Sequence, residues 1–186
     1  MSRRLRPLVV VLWLALLAGC ALASQALAQP GTDPDKYRLG PGDRIQVSVY
    51  GENDLSMEIL LNDSGVVNYP FLGEILIGGR SVKEVEKILL DGLKGDYLIN
   101  PSISVAIVEY RPFYIYGEVQ VPGGYPYQPG LTVGKAAALA QGLTERASER
   151  RIYIVRESAG SDQRIEASLN TQLRPGDVVT VEQGLF

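Results

Sequence analysis

The chain has 186 residues, with 18 lysines and arginines against 21 acidic residues, a formal charge of −3, one cysteine and no histidine. That balance argues against nucleic acid as a partner. A lone cysteine rules out an intramolecular disulfide, and the lack of histidine removes the commonest general base and metal ligand.

Arg3, Arg4 and Arg6 precede an apolar run from Leu8 to Ala23. The run is shorter than the roughly 20 residues of a spanning helix. Positive charge followed by a short apolar stretch is the pattern of a secretory leader, so residues 1–28 are read as signal peptide and start of a linker. Two endings compete. Leu17-Ala-Gly-Cys20 fits a lipobox, with cleavage before Cys20 and acylation of its sulfur. Ala26-Leu-Ala28 fits a small-x-small site, with cleavage after Ala28. An uncleaved membrane anchor is a third reading. The residue after Cys20 is alanine rather than aspartate, which in enteric-type sorting favours the outer membrane. Acyl chains contribute about 0.8 kcal/mol per buried methylene, so several together anchor firmly.

Residues 29–36 form a polar linker with Pro30, Gly31 and Pro34. About 150 residues follow, enough for one ordinary domain or two small ones. From Arg44 to Tyr50, Ile45, Val47 and Val49 alternate with polar residues, the period of a half-buried strand. Turns over 51–55 and 62–65 separate two further short strands, Met57–Leu61 and Val66–Tyr69, and residues 71–77 carry the chain to Gly78-Gly79. The period then changes. Ser81 followed by Glu84 is a capping-box pattern, and Val82, Val85, Ile88, Leu89 and Leu93 mark one face of an amphipathic helix. Gly92 and Gly95 are places to end it. Ile103, Val105 and Ile107 give a return strand.

The second half repeats the mixture. Phe113 and Ile115 alternate with Tyr114 and Tyr116 up to Gly117, and residues 125–128 read as a short strand. Thr132 caps an alanine-rich helix through Ala140, which Gly142 stops. Arg151–Arg156 reads as a strand, 157–164 as an exposed polar loop, and Ile165–Leu169 as another short strand. The fold class is α+β: two small sheet-plus-helix modules, over 37–110 and 111–186.

One signature occurs twice. Leu39-Gly-Pro-Gly-Asp43 opens the first module and Leu173-Arg-Pro-Gly-Asp177 leads into the last strand. Proline fixes φ, glycine accepts a positive φ and aspartate bonds to the turn backbone. Gly40, Pro41, Gly42, Asp43, Pro175, Gly176 and Asp177 are therefore read as structural.

Residues 37–43, Asp63-Ser-Gly65, Tyr69-Pro-Phe-Leu-Gly73, Ile77-Gly-Gly-Arg-Ser-Val82 and Asn100-Pro-Ser-Ile-Ser-Val105, in that order, resemble the polysaccharide export domain of the bacterial outer-membrane polysaccharide export family. Gly117-Glu-Val, Pro122-Gly-Gly, Leu131-Thr-Val, Ala140-Gln-Gly-Leu-Thr144, Ile154-Val-Arg156 and Leu173–Asp177 resemble the soluble-ligand-binding β-grasp (SLBB) domain of the same proteins. The resemblance implies a periplasmic or outer-membrane part of a capsule or exopolysaccharide export machine. Long family members carry a second β-grasp domain and a C-terminal membrane helix; the resemblance reaches neither, so the expectation is a short form without them, a homo-oligomeric ring or adaptor without the pore. Its partners would be polysaccharide, an inner-membrane polysaccharide co-polymerase and an outer-membrane β-barrel that supplies the channel. A monomeric periplasmic glycan-binding module and an adaptor that never touches sugar are the alternatives. Localisation follows Cys20: the periplasmic face of the outer membrane if it is acylated, otherwise the periplasm.

Tyr114, Tyr116, Tyr125 and Tyr127 crowd one stretch and read as glycan-contact, interface or simple strand-packing residues. Arg146, Arg150 and Arg151 form a basic cluster, read as solvated or ion-paired before any contact with acidic polymer. Asn62-Asp-Ser64 matches a glycosylation acceptor by chance. No cofactor is expected, and no nucleophile, phosphate loop or placed carboxylate pair points to an enzyme.

Overall fold

The computed structural model describes residues 37–158 and 161–184. The leader with Cys20, the 29–36 linker and Phe186 lie outside them. Both modules fall within a single compact unit.

In the first module, β1 (Arg44–Val49) is the middle of a three-stranded antiparallel sheet between β2 (Met57–Leu60) and β5 (Ile103–Glu109). Val47 stands opposite both Met57 and Val105. Alternation places Ile45, Val47 and Val49 in the core, each at most 3% exposed, and leaves Arg44, Gln46 and Ser48 on the other face. A separate hairpin pairs β3 (Val66–Tyr69) with β4 (Gly73–Leu76). The connection expected over 71–77 is thus a strand, and the turn feeding it puts Phe71 at φ 65°. Helix α1 (Val82–Leu93) starts on the full capping box: the Ser81 hydroxyl accepts from Glu84 N, and the Glu84 carboxylate accepts from Ser81 N. That backbone bond, with Arg38 nearby, holds the Glu84 carboxyl below its ordinary pKa. The helix buries Val85, Leu89 and Leu93. It continues through Gly92, which packs under Leu72. On the free edge of β5, the amide of Val105 donates to Glu86 Oε1 at 2.9 Å.

The second module is a mixed five-stranded sheet in the order β7-β6-β10-β8-β9. These are β6 (Phe113–Gly117), β7 (Gly123–Tyr125), β8 (Ala147–Ser158), β9 (Ser161–Ala167) and β10 (Val178–Gln183). β6 and β10 run parallel and every other pairing is antiparallel. Parallel neighbours need a crossover, and helix α2 (Val133–Leu139), capped by Thr132, lies along that path. Its Val133, Ala136 and Ala137, with Ala140 just beyond, pack on Phe113, Ile115, Ile152, Ile154, Val179 and Val181. Short alanine side chains let helix and sheet approach closely.

Two expectations shift here. The strand expected over 125–128 lies at 123–125, paired with β6. The polar stretch 157–164 is mostly hairpin, with Arg156 opposite Gln163 and Glu157 opposite Asp162. Backbone ladder bonds hold this ribbon beyond the apolar core, so polarity alone reads as loop.

Candidate functional site

The two repeated turns meet. In the first, Asp43 is fully buried, and Oδ2 accepts from Gly40 N at 2.8 Å across its own turn. The Tyr37 hydroxyl lies 2.8 and 2.7 Å from the two oxygens, and Arg111 N donates to Oδ1 at 2.8 Å. In the second, Asp177 Oδ2 accepts from Arg174 N at 2.8 Å. Arg156 grips both its oxygens, Nε to Oδ1 at 2.7 Å and a terminal nitrogen to Oδ2 at 2.5 Å. This bonding raises the Arg156 pKa above its ordinary value. Gly42 (φ 87°) and Gly176 (φ 83°) take the left-handed conformation that the turns require.

Arg111 joins the turns. Its backbone serves Asp43, its Nε donates to Pro175 O at 3.3 Å, and its guanidinium stands 3.8 Å from Asp43 and 5.9 Å from the Tyr37 ring centre. The side chain crosses so close to both turns that a Cβ on Gly40 would lie 1.7 Å from it and one on Gly176 2.8 Å. Gly176 N also donates to Pro112 O at 3.1 Å. Beside the arginine, Tyr110 contacts Tyr37 and Tyr127 edge to face, at 5.2 and 5.4 Å between ring centres, and packs against both apolar cores. The carboxylates thus do backbone and ion-pair work at a junction between modules. Of their distant partners, Arg156 falls within the Ile154-Val-Arg156 motif, whereas Arg111 lies in no motif and carries no local sequence signal.

Burial first, then the bond to Asp43, pushes the Tyr37 phenol well above its ordinary pKa. The folded state therefore favours the neutral phenol, whereas an unfolded tyrosine ionises near pH ~10. Stability from this group is whole below that pH and falls as pH rises beyond it. Tyr37→Phe is expected to be less stable at neutral pH by about 1.5–3 kcal/mol, the worth of a bond to a charged acceptor. Its stability should also fall less steeply above pH ~10. Urea midpoints measured across that range check both. Parallel curves for the two proteins would contradict the assignment. Tyr69 and Tyr110, also raised by burial, supply a residual slope.

The four clustered tyrosines separate. Tyr114 and Tyr116 stand on the outer sheet face, 50% and 46% exposed. Tyr125 stacks on Phe113 at 5.9 Å and donates to Val121 O at 2.7 Å. Tyr127 is 6% exposed, within the core, which takes it off the contact surface. Of the basic cluster, Arg146 donates to the Gln183 side chain at 2.6 Å and Arg151 pairs with Glu182, while Arg150 is exposed. Among the described residues no group of metal-ligating side chains converges, and no helix is long and apolar enough to cross a membrane.

Residues 31–108 match the model of the polysaccharide biosynthesis/export protein family, and residues 112–166 match the SLBB domain model. The chain belongs to the polysaccharide export protein family. This family member is 38% identical over 144 residues to the exopolysaccharide production protein ExoF of Rhizobium meliloti (strain 1021), covering 70% of this chain and 33% of that relative. It is 29% identical over 100 residues to the polysialic acid transport protein KpsD of Escherichia coli, covering 53% of this chain and 18% of that relative. The chain thus spans a third or less of the curated relatives it matches.

Proposed function

We propose that this chain is a component of a capsule or exopolysaccharide export machine, assembling as a ring or adaptor that guides polysaccharide towards the outer membrane. The observation that carries this reading is the order of the two modules, export domain then SLBB domain, fastened at the Arg111 junction. A fixed angle between modules suits a subunit that must repeat in an assembly. The names of the relatives, one for exopolysaccharide production and one for polysialic acid transport, support the same class of cargo. Other copies of the chain, an inner-membrane co-polymerase and an outer-membrane β-barrel are the proposed partners. The proposed site of action is the periplasmic face of the outer membrane, held by acylated Cys20, or the periplasm if cleavage falls after Ala28. No chemistry is assigned to it.

Deleting the gene tests the reading. Surface polysaccharide should vanish while polymer accumulates in the periplasm, and a full glycan coat on the deleted cells would overturn it. Size-exclusion chromatography with mass measurement tests the assembly, where a monomer at high concentration would refute the ring. Labelling with a fatty-acid analogue, in the native protein and in Cys20→Ser, decides the anchor.

A further inference from the structure

The five-stranded sheet packs its core on one face, and its register gathers a particular set of side chains on the other. Ile152, Ile154, Val179 and Val181 are buried at 1% or less, so by alternation Tyr153, Val178 and Thr180 face outward with Tyr114 and Tyr116. Thr180, in the middle strand, stands opposite Tyr116 of β6 on one side and Tyr153 of β8 on the other. One step back, Val178 stands between Tyr114 and Val155. Two small residues of β10 thus floor a shallow trough whose aromatic flanks are two strand spacings apart, about 10 Å. The Tyr153 ring is braced by the Arg164 guanidinium, 3.9 Å from its centre. Arg164 in turn pairs with Glu182 at 2.8 Å, as does Arg151. On the opposite flank, the Tyr114 ring leans over Gly124, where a Cβ would come within 2.8 Å of it.

We propose that this trough binds pyranose rings of a polysaccharide lying along β10, with Tyr116 and Tyr153 flanking a sugar over the Thr180 hydroxyl. The proposal rests on the export reading above and deepens it by naming the contact residues and the mode of contact. Tyrosine rings offer apolar faces to the C–H faces of a pyranose, and a floor of valine and threonine leaves room for a ring between them. The Thr180 hydroxyl can both donate to and accept from sugar hydroxyls. Charge around the floor balances, with Arg151 and Arg164 both held on Glu182 and Glu166 opposite Tyr153. Recognition therefore runs through ring faces and hydroxyls and not through charge on the polymer. The size of the patch argues against a protein occupant. A tyrosine buries about 150–250 Å² in full, so Tyr114 and Tyr116, each about half exposed, offer roughly that much together. The partly buried Tyr153, Val155, Val178 and Thr180 add less apiece, which leaves the patch short of the ~800 Å² per partner in a stable protein interface. Weak, shallow contact suits a polymer that must keep moving.

The test titrates the processed, exported protein with a neutral glucan hexasaccharide and follows side-chain NMR signals. The Thr180 methyl and the Tyr114, Tyr116 and Tyr153 ring signals should shift together. The affinity should stay unchanged between about 50 and 500 mM salt, because no phosphate-like or carboxylate charge is being read. Tyr116→Ala and Tyr153→Ala should each weaken binding about tenfold, or about 1.4 kcal/mol, while Tyr116→Phe retains it. Thr180→Trp should abolish binding by filling the floor, with its thermal midpoint and buried-methyl signals confirming that the fold persists. Shifts mapping elsewhere, no shift at all, or full binding by folded Thr180→Trp would overturn the trough. In cells, a Thr180→Trp protein that exports normally in the deletion strain would also sink the trough and leave the export reading standing. A full coat on the deletion strain itself would sink the export reading, and the titration would still decide the trough.

Discussion

Asp43→Ala is expected to lose about 3–5 kcal/mol of stability, the cost of leaving buried polar partners without their charge. The carboxylate is fully buried and serves Tyr37, Gly40 N and Arg111 N at 2.7–2.8 Å. Each orphaned buried donor costs about 1–3 kcal/mol by itself. The loss should appear as a lower urea midpoint with a near-constant slope, and as a drop in thermal midpoint on the order of 10 °C for a chain of this size. Because Arg111 loses its backbone acceptor and its ionic neighbour together, the modules should also loosen. Faster amide exchange at Arg111 and Gly176 than in either sheet would report that. A loss below about 1 kcal/mol, with unchanged exchange at the junction, would mean that Asp43 is a turn residue only.

Asp177→Ala should cost a similar amount, about 3–5 kcal/mol, by a different route. Here the stranded partner is a cation: the Arg156 side chain is 16% exposed and its charge is answered within the junction by Asp177. The companion experiment separates charge from shape. Arg156→Met combined with Asp177→Asn removes both charges and leaves an amide oxygen that can accept from Arg174 N. This double variant is expected to recover more than half of the loss, since an apolar replacement of a buried pair is often close to neutral. Additive single losses with no recovery would contradict the pairing energy and point to the turn backbone instead.

The sequence disclosed most where the controlling physics is local. Ser81 with Glu84 and Thr132 fix two helix starts because a cap needs only residues three apart. Alternation in β1 and β6 survives in the structure because each has one wholly apolar face. β4 escaped notice because its hairpin turn runs through Phe71 at positive φ, with no Asn-Gly or Asp-Gly signal. The long β8–β9 hairpin escaped because ladder bonds, which polar residues make as well as apolar ones, carry it past the core. The repeated turns were legible as turns from their Pro-Gly-Asp core. That they approach one another was not, because Arg111 lies 68 residues from Asp43 and 64 from Pro175. The trough over β10 likewise depends on a register that joins residues 116, 180 and 153, which only the strand order reveals.

A consequence follows from the carboxylate that occupies the outer amide of β5. An unprotected strand border invites another chain to continue the sheet, the route by which crowded proteins gel or form fibres. With Glu86 seated on Val105, an incoming strand would lack one rung at mid-length and would meet a negative charge there. At high concentration the folded molecules are thereby discouraged from zipping together along that border.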